Sequence, residues 1–357
     1  MSRIAAIAPV LPAHAHAQAD ITAAIAPLLT TDPRRLAVID RMHRATGVRT
    51  RHMTLPLEDY AGLTSFDDSL RAFVTHGLDL AARACEQALD RAGLTAADVD
   101  LVVVTSITGI AAPSLDALLV ERIGLRPDVR RIPVFGLGCV GGAAGVARVH
   151  DYLQGHPDDV ALLVSVELCS LTLQQGDDSM ANIVASGLFG DGASAAVMVG
   201  DVRAADDAGG IDVVATRSAL YPGTARDLGW DIGGSGFRIL LASSLGDLVR
   251  EHLGDDVTDL LAAHHLKVSD VGAWVAHTGG PRILESAAHS LDLPDEAFAA
   301  SWASLAEVGN LSSSGVLHVL ARTLDDGQHV PGSPAVMFAF GPGVSAETVL
   351  MRWPEAS

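Results

Sequence analysis

Three side chains in this sequence pair the chemistry of acyl transfer with the kind of placement that it needs. Cys139 lies in Val134-Phe-Gly-Leu-Gly-Cys-Val-Gly-Gly-Ala-Ala-Gly-Val-Ala-Arg-Val-His-Asp-Tyr-Leu153, the pattern of a strand that turns through glycines into a helix. A thiol at a helix N-terminus feels the partial positive charge of unpaired amides, and its pKa can fall from ~8.5 into the range ~3.5–7.5. On that reading Cys139 is a thiolate at neutral pH; the alternative is a small buried hydrophobe at a helix start. A nucleophilic thiolate needs a basic or cationic neighbour. Of the fourteen histidines His277 is best placed, because it ends the apolar run Ala273-Trp-Val-Ala276 and opens Thr-Gly-Gly-Pro281. His150, His264, His265, His289 and His318 fall on predicted helices or their ends, where packed or solvated roles suffice. Asn310 holds, in a second turn, the place that Cys139 holds in the first. Its amide can donate to a developing oxyanion or enolate, or it can cap the helix that follows.

Buried strands and helix starts must position these groups, and the chain writes that arrangement twice. Residues 86–109 run from a helical end through Gly93 and Asp98 into the apolar strand Leu101-Val-Val-Val-Thr105, and residues 258–280 repeat the sense through Asp270 into Ala273–Ala276. Gly138-Cys139 is then answered by Gly309-Asn310, and Val160–Val166 by Ala335–Phe340. Three elements in one order at an offset of about 172 residues suggest two homologous halves, too long in period for a solenoid. They are divided as 1–210, carrying the cysteine, and 211–357, carrying the histidine and asparagine. Strands that are apolar throughout need helices on both faces, so the fold class is α/β with helices sandwiching sheets. The stretch from Gly200 to Gly236 reads as connecting strands, turns and loops.

Composition narrows the partners. With 24 Lys+Arg against 43 Asp+Glu the formal charge is −19, which disfavours nucleic acid and anionic membranes. A 49% hydrophobic and 19% charged chain can bury enough apolar surface to fold rather than stay disordered. Three cysteines, Cys85, Cys139 and Cys169, form neither a disulfide framework nor a zinc spacing, and a reducing cytoplasm fits them. Cys85 lies on an apolar helical stripe and reads as core. The start, Met1-Ser-Arg-Ile-Ala-Ala-Ile-Ala-Pro-Val, mimics a signal peptide but reads better as a first strand, interrupted by Pro9 and Pro12. No apolar run is long enough for a membrane span. Against the acidic background Arg34, Arg35, Arg41, Arg44, Arg49 and Arg51 gather in one stretch, either a solvated helical face or a site for an anion.

The Gly138-Cys139 turn, His277-Thr-Gly-Gly-Pro281, Gly309-Asn310-Leu-Ser-Ser, Leu188-Phe-Gly-Asp-Gly-Ala193 and Phe340-Gly-Pro-Gly343 together span nearly the whole chain. In these motifs it resembles the type III polyketide synthases, the chalcone synthase-like branch of the thiolase superfamily. The resemblance implies a homodimer of five-layered αβαβα subunits without metal or cofactor, with coenzyme A thioesters as substrates. It makes Cys139 the acyl-carrying nucleophile, and His277 and Asn310 the pair that stabilises the enolate formed when malonyl-CoA, or a substituted malonyl-CoA, loses carbon dioxide. Phe189 and Phe237 match the gatekeeping phenylalanines. Cys169, Thr172 and Ser312 fall where the family shapes its cavity, and Arg41 and Arg44 are the candidate contacts to coenzyme A phosphates.

Some positions depart from the plant-like pattern. Ala339 replaces the first glycine of the usual terminal motif, Ala112 a methionine that reaches into the partner subunit, and Ala45 a basic contact. Cys169-Ser-Leu-Thr172 resembles bacterial members that make alkylpyrones, germicidin-like pyrones or resorcinols, which implies a fatty acyl-CoA starter. Two other functions remain to be weighed: a ketoacyl synthase III-like enzyme that condenses once using an acyl carrier protein, and an inactive scaffold homologue.

Overall fold

In the computed structural model, which describes residues 1–204, 209–327 and 329–355, the repeated phrases take the same form. The Thr95 amide donates to Asp98 Oδ2 at 2.9 Å and the Lys267 amide to Asp270 Oδ2 at 2.8 Å. Each acidic residue thereby closes one short turn, Ala96–Asp98 or Val268–Asp270. The turns feed the strands Leu101–Ser106 and Ala273–Ala276. Each of these pairs in parallel with a second buried strand, Val160–Leu168 or Pro334–Gly341. Antiparallel partners follow, Asp191–Gly200 and Ser345–Arg352, and then Ser2–Val10 and Ile211–Leu220.

The two half-sheets join where Ser2–Ile4 meets Ile211–Val213. Ile211–Leu220, read from sequence as part of a connecting stretch, is thus a strand in the middle of the whole sheet. Its half-polar face hid that role, since it is buried at alternate positions only at its start. Ser2–Val10, the signal-like start, is its central neighbour.

Five layers result. Helix Phe66–Arg91 covers the outer face of the first half-sheet, and helices Leu245–Ala263 and Pro281–Ser290 cover that of the second. Between the half-sheets, Gly141–Gly155 and Ser313–Asp325 pack on each other and on strands of both halves. This is the thiolase-like αβαβα order. The strands Val160–Leu168, Asp191–Gly200 and Pro334–Gly341 are buried at every position, which explains why Val160–Val166 and Ala335–Phe340 read as almost wholly apolar.

Gly142 sets how closely the two central helices approach. A Cβ there would lie 2.2 Å from Ser313 O and 2.8 Å from Val316 Cγ1. A backbone oxygen yields less readily than a side-chain tip, so Gly142→Ala is expected to destabilise the fold by about 1–3 kcal/mol. Urea unfolding would show it, and an unchanged midpoint would mean that the helices slide apart freely.

Candidate active site

The glycine-rich turn delivers Cys139 to the centre of the molecule. Strand Arg130–Phe135 ends, and one tight turn, Gly138–Val140, runs into helix Gly141–Gly155. Gly138 has φ +56°, and a Cβ on it would meet Pro342 Cδ at 2.6 Å. The Phe340-Gly-Pro-Gly343 motif of the second half therefore packs directly on the cysteine turn of the first. From there the Cys139 thiol donates to Ser312 Oγ at 3.6 Å, and the Asn310 side chain also bonds to the sulfur.

Asn310 is fixed by both sides of the fold. Its amide N–H donates to Leu188 O at 2.9 Å, while its carbonyl accepts from Gly190 N at 3.0 Å. Phe189, between those two residues, is tied to it as a one-residue bridge. The Asn310 Oδ1 accepts from Ser312 N at 2.8 Å, which leaves the NH₂ end to face the sulfur. The Oδ1 end closes a turn just ahead of helix Ser313–Asp325 rather than capping it, and it leaves the opposite end of the side-chain amide free to donate. Ser312 itself holds φ +49°, a conformation that a non-glycine residue keeps only when its surroundings enforce it.

His277 follows its strand as expected, its backbone N–H donating to Phe338 O at 3.0 Å. The ring is 3% exposed, and both ring nitrogens are buried without a partner. Burial pushes its pKa down to about 4. The same desolvation pushes the Cys139 thiol up to about 12, with the Glu167 carboxylate adding to the rise and the Ser312 and Asn310 bonds opposing it. Burial thus works against the thiolate that the helix start by itself would favour. One short turn of amides is outweighed by removal of the sulfur from water.

Glu167 escaped the sequence reading. It is fully buried at the end of Val160–Leu168. It accepts from Ile107 N at 3.1 Å, Thr108 Oγ1 at 2.8 Å, Ser312 Oγ at 3.2 Å and Ser313 Oγ. Burial raises its pKa, and these donors hold it back. A hydrogen-bonded path therefore runs from the Cys139 thiol through the Ser312 hydroxyl to a buried carboxylate. The available signal was a lone acidic residue inside an otherwise apolar strand.

A cavity opens beside the sulfur, lined in part by Cys139, Cys169, Thr172, Phe189, Phe237 and Ser312. The cavity volume is about 60 Å³. Phe237 sits in the hairpin formed by Leu228–Gly233 and Gly236–Leu241. It is held edge-on to Phe66 at 5.1 Å, with Trp230 at 6.0 Å. Cys85 is buried in the core. Arg41 and Arg44 do not line this cavity; both are exposed on helix Pro33–Ala45, where Arg44 pairs with Asp40. Arg51 departs from the arginine cluster altogether, being 2% exposed and part of the cavity wall. Among the described residues no group of three or more His, Cys, Asp or Glu side chains is arranged to hold a metal ion. Among the described residues no helix is long and apolar enough to cross a membrane.

Residues 2–202 match the N-terminal domain of chalcone and stilbene synthases, and residues 212–354 match the C-terminal domain. The chain belongs to this family. It is a type III polyketide synthase, an acyltransferase of a class that condenses acyl units without a cofactor. Family membership decides against the ketoacyl synthase III-like alternative. A 1,3,6,8-tetrahydroxynaphthalene synthase from Streptomyces peucetius subsp. caesius is 54% identical, over 98% of this chain and 93% of that protein. An alpha-pyrone synthesis polyketide synthase-like protein, Pks18 of Mycobacterium tuberculosis, is 30% identical, over 90% and 84%. The crystal structure of 1,3,6,8-tetrahydroxynaphthalene synthase from Streptomyces coelicolor A3(2) superposes with a TM-score of 0.92 at 32% identity, covering 99% of this polyketide synthase and all of that chain.

Proposed function

We propose that this synthase builds its polyketide on Cys139 from malonyl units alone and closes it to a fused aromatic of the 1,3,6,8-tetrahydroxynaphthalene kind. The observation that carries this reading is the 54% identity over nearly the full chain to a synthase of that compound. The skeleton fits the chemistry. Its ten ring carbons can be traced as one chain, C1-C2-C3-C4-C4a-C5-C6-C7-C8-C8a, with oxygen on alternate carbons except C4a, where an aldol closure would lose it as water. That is five two-carbon units.

In the loading step the Cys139 sulfur attacks the thioester carbonyl of an acyl-CoA, and the coenzyme A thiolate leaves with its electron pair. The thiol proton goes to His277 in that step. Next, the bond from a malonyl-CoA methylene to its carboxylate breaks, carbon dioxide departs, and the electron pair becomes an enolate. Its oxygen accepts from a His277 N–H and the Asn310 amide, donors of the kind that are worth ~10²–10³ in rate. The enolate carbon attacks the Cys139 thioester and expels the sulfur, leaving the lengthened chain as a coenzyme A thioester, which the freed Cys139 attacks in turn with loss of the coenzyme A thiolate before the next round. Phe189 and Phe237 exclude water from the carbanion equivalent without supplying a proton. Cys169, Thr172 and Ser312 shape the space for the chain.

Arg41 and Arg44 are exposed cations suited to coenzyme A phosphates. The edge strand Arg130–Phe135 exposes Ile132 and Phe135, which supports pairing with a second copy. Three free cysteines support a cytoplasmic setting. A fatty acyl starter closing to an alkylpyrone or resorcinol is the second reading, favoured by Cys169-Ser-Leu-Thr172 and the relative with an alpha-pyrone in its name. Labelled malonyl-CoA given alone should yield a ten-carbon aromatic by mass spectrometry. Products that appear only when octanoyl-CoA is added would reverse the choice.

A further inference from the structure

Arg51 is a buried cation with too few partners. Its Nε donates to Gln18 Oε1 at 2.9 Å and its Nη1 to Phe189 O at 2.6 Å, both neutral acceptors. Nη2 is buried with none. The Asp191 carboxylate is near enough to be felt, but its oxygens are already taken by the amides and hydroxyls of Thr54 and Ser170, at 2.5–2.8 Å. Burial lowers the guanidinium pKa to about 10, so it remains charged at neutral pH. A charge removed from water without a paired counter-charge is costly. Here it stands in the wall of the cavity that also holds Cys139, and the reaction brings carboxylates into that cavity.

The proposed product gives one of those carboxylates a reason to be held. In the chain traced above, the thioester carbonyl C1 keeps its oxygen, and the far-end carbon, C8a, forms both closing bonds, to C4a and to C1. An acetyl starter would leave a simple ketone methyl at that end. A malonyl starter leaves a carboxylate on it. Loss of carbon dioxide then places the electron pair of the broken bond on the carbon that attacks C1, and the thiolate leaves. The carboxylate must survive the extension rounds for this to happen.

We propose that Arg51 is the carboxylate-holding subsite of the acyl cavity, taking the free carboxylate of a malonyl-type starter while its thioester end is carried on Cys139. The proposal rests on the malonyl-only reading of function. Arg51 also grips the Phe189 carbonyl, so an occupied subsite would bear on the gatekeeping segment that is bridged to Asn310.

The test is a competition between starters of similar size, malonyl and butyryl, on the full-length enzyme with malonyl-CoA as extender. Arg51→Met and Arg51→Lys are compared with wild type, and folding is followed by thermal melting. In Arg51→Met the ratio of malonyl-primed to butyryl-primed product should fall about tenfold or more, with Arg51→Lys between the two. Equal loss of both products, or an unchanged ratio in folded Arg51→Met, overturns the subsite. If the wild type does not self-prime at all, the malonyl-only reading fails, and the subsite is judged by succinyl-CoA inhibition of butyryl-primed turnover. Inhibition that weakens in both variants keeps the subsite; inhibition equal to wild type overturns it.

Discussion

Cys139→Ala should leave a folded protein that carries no acyl group and condenses none, with turnover reduced by at least about 10⁴-fold, the scale on which loss of a covalent nucleophile acts. The structure makes this substitution clean. Cys139 contributes one long thiol bond to Ser312 at 3.6 Å and one bond from the Asn310 side chain, so its removal should cost no more than about 1–2 kcal/mol of stability. Radiolabelled acyl-CoA followed by denaturing gel electrophoresis reads the adduct, and thermal melting reads the fold. A folded Cys139→Ala protein that still retains covalent label would move the nucleophile elsewhere, with Cys169, on the same cavity wall, the first residue to test.

The second large effect concerns the two groups around the enolate. Asn310→Asp keeps an acceptor for Ser312 N but loses the donor that faces the sulfur, so malonyl-CoA decarboxylation should drop by ~10²–10³, with thermal melting to measure what the buried carboxyl costs the fold. Asn310→Ala would lose the bond to Ser312 N as well and blur the reading. His277→Ala breaks no side-chain hydrogen bond, because neither ring nitrogen has a partner in the resting site. It should reduce decarboxylation on the same scale. It should also move the pH midpoint for alkylation of Cys139 upward by about one unit or more, since the imidazole can no longer take the thiol proton and stabilise the thiolate as a neighbouring cation. The sign follows from burial, which holds the isolated thiol near 12 and the isolated imidazole near 4; only an exchange of the proton between them makes a thiolate at neutral pH. If the midpoint is unchanged in His277→Ala but moves in Glu167→Gln, the proton leaves through Ser312 instead.

What the sequence carried, and what it did not, follows from range. The duplication was legible because buried strands must be apolar on both faces and because Asp98 and Asp270 close equivalent turns, both local requirements. The glycine motifs were legible as motifs, but their cause was not. Gly138 answers to Pro342 and Gly142 to Ser313, each from the other half of the chain. Ile211–Leu220 looked like a connector because its outer face is only partly covered. Arg51 looked like its exposed neighbours because composition cannot say which arginine turns inward; Gln18 and the Phe189 carbonyl decide that. The rise that burial gives the Cys139 thiol was not legible for a similar reason, since the helix-start signal is local while desolvation comes from the whole packed site.

The most direct test of the account is mass analysis of the Cys139 peptide during turnover. Wild-type enzyme is given malonyl-CoA, quenched in acid at short times and digested. Adducts on Cys139 should form a ladder that grows by one C₂H₂O unit per round, and the ladder should collapse to the first rung in Asn310→Asp. Product that accumulates with no adduct on Cys139, or a single adduct that never lengthens while product forms, would contradict iterative assembly at this cysteine.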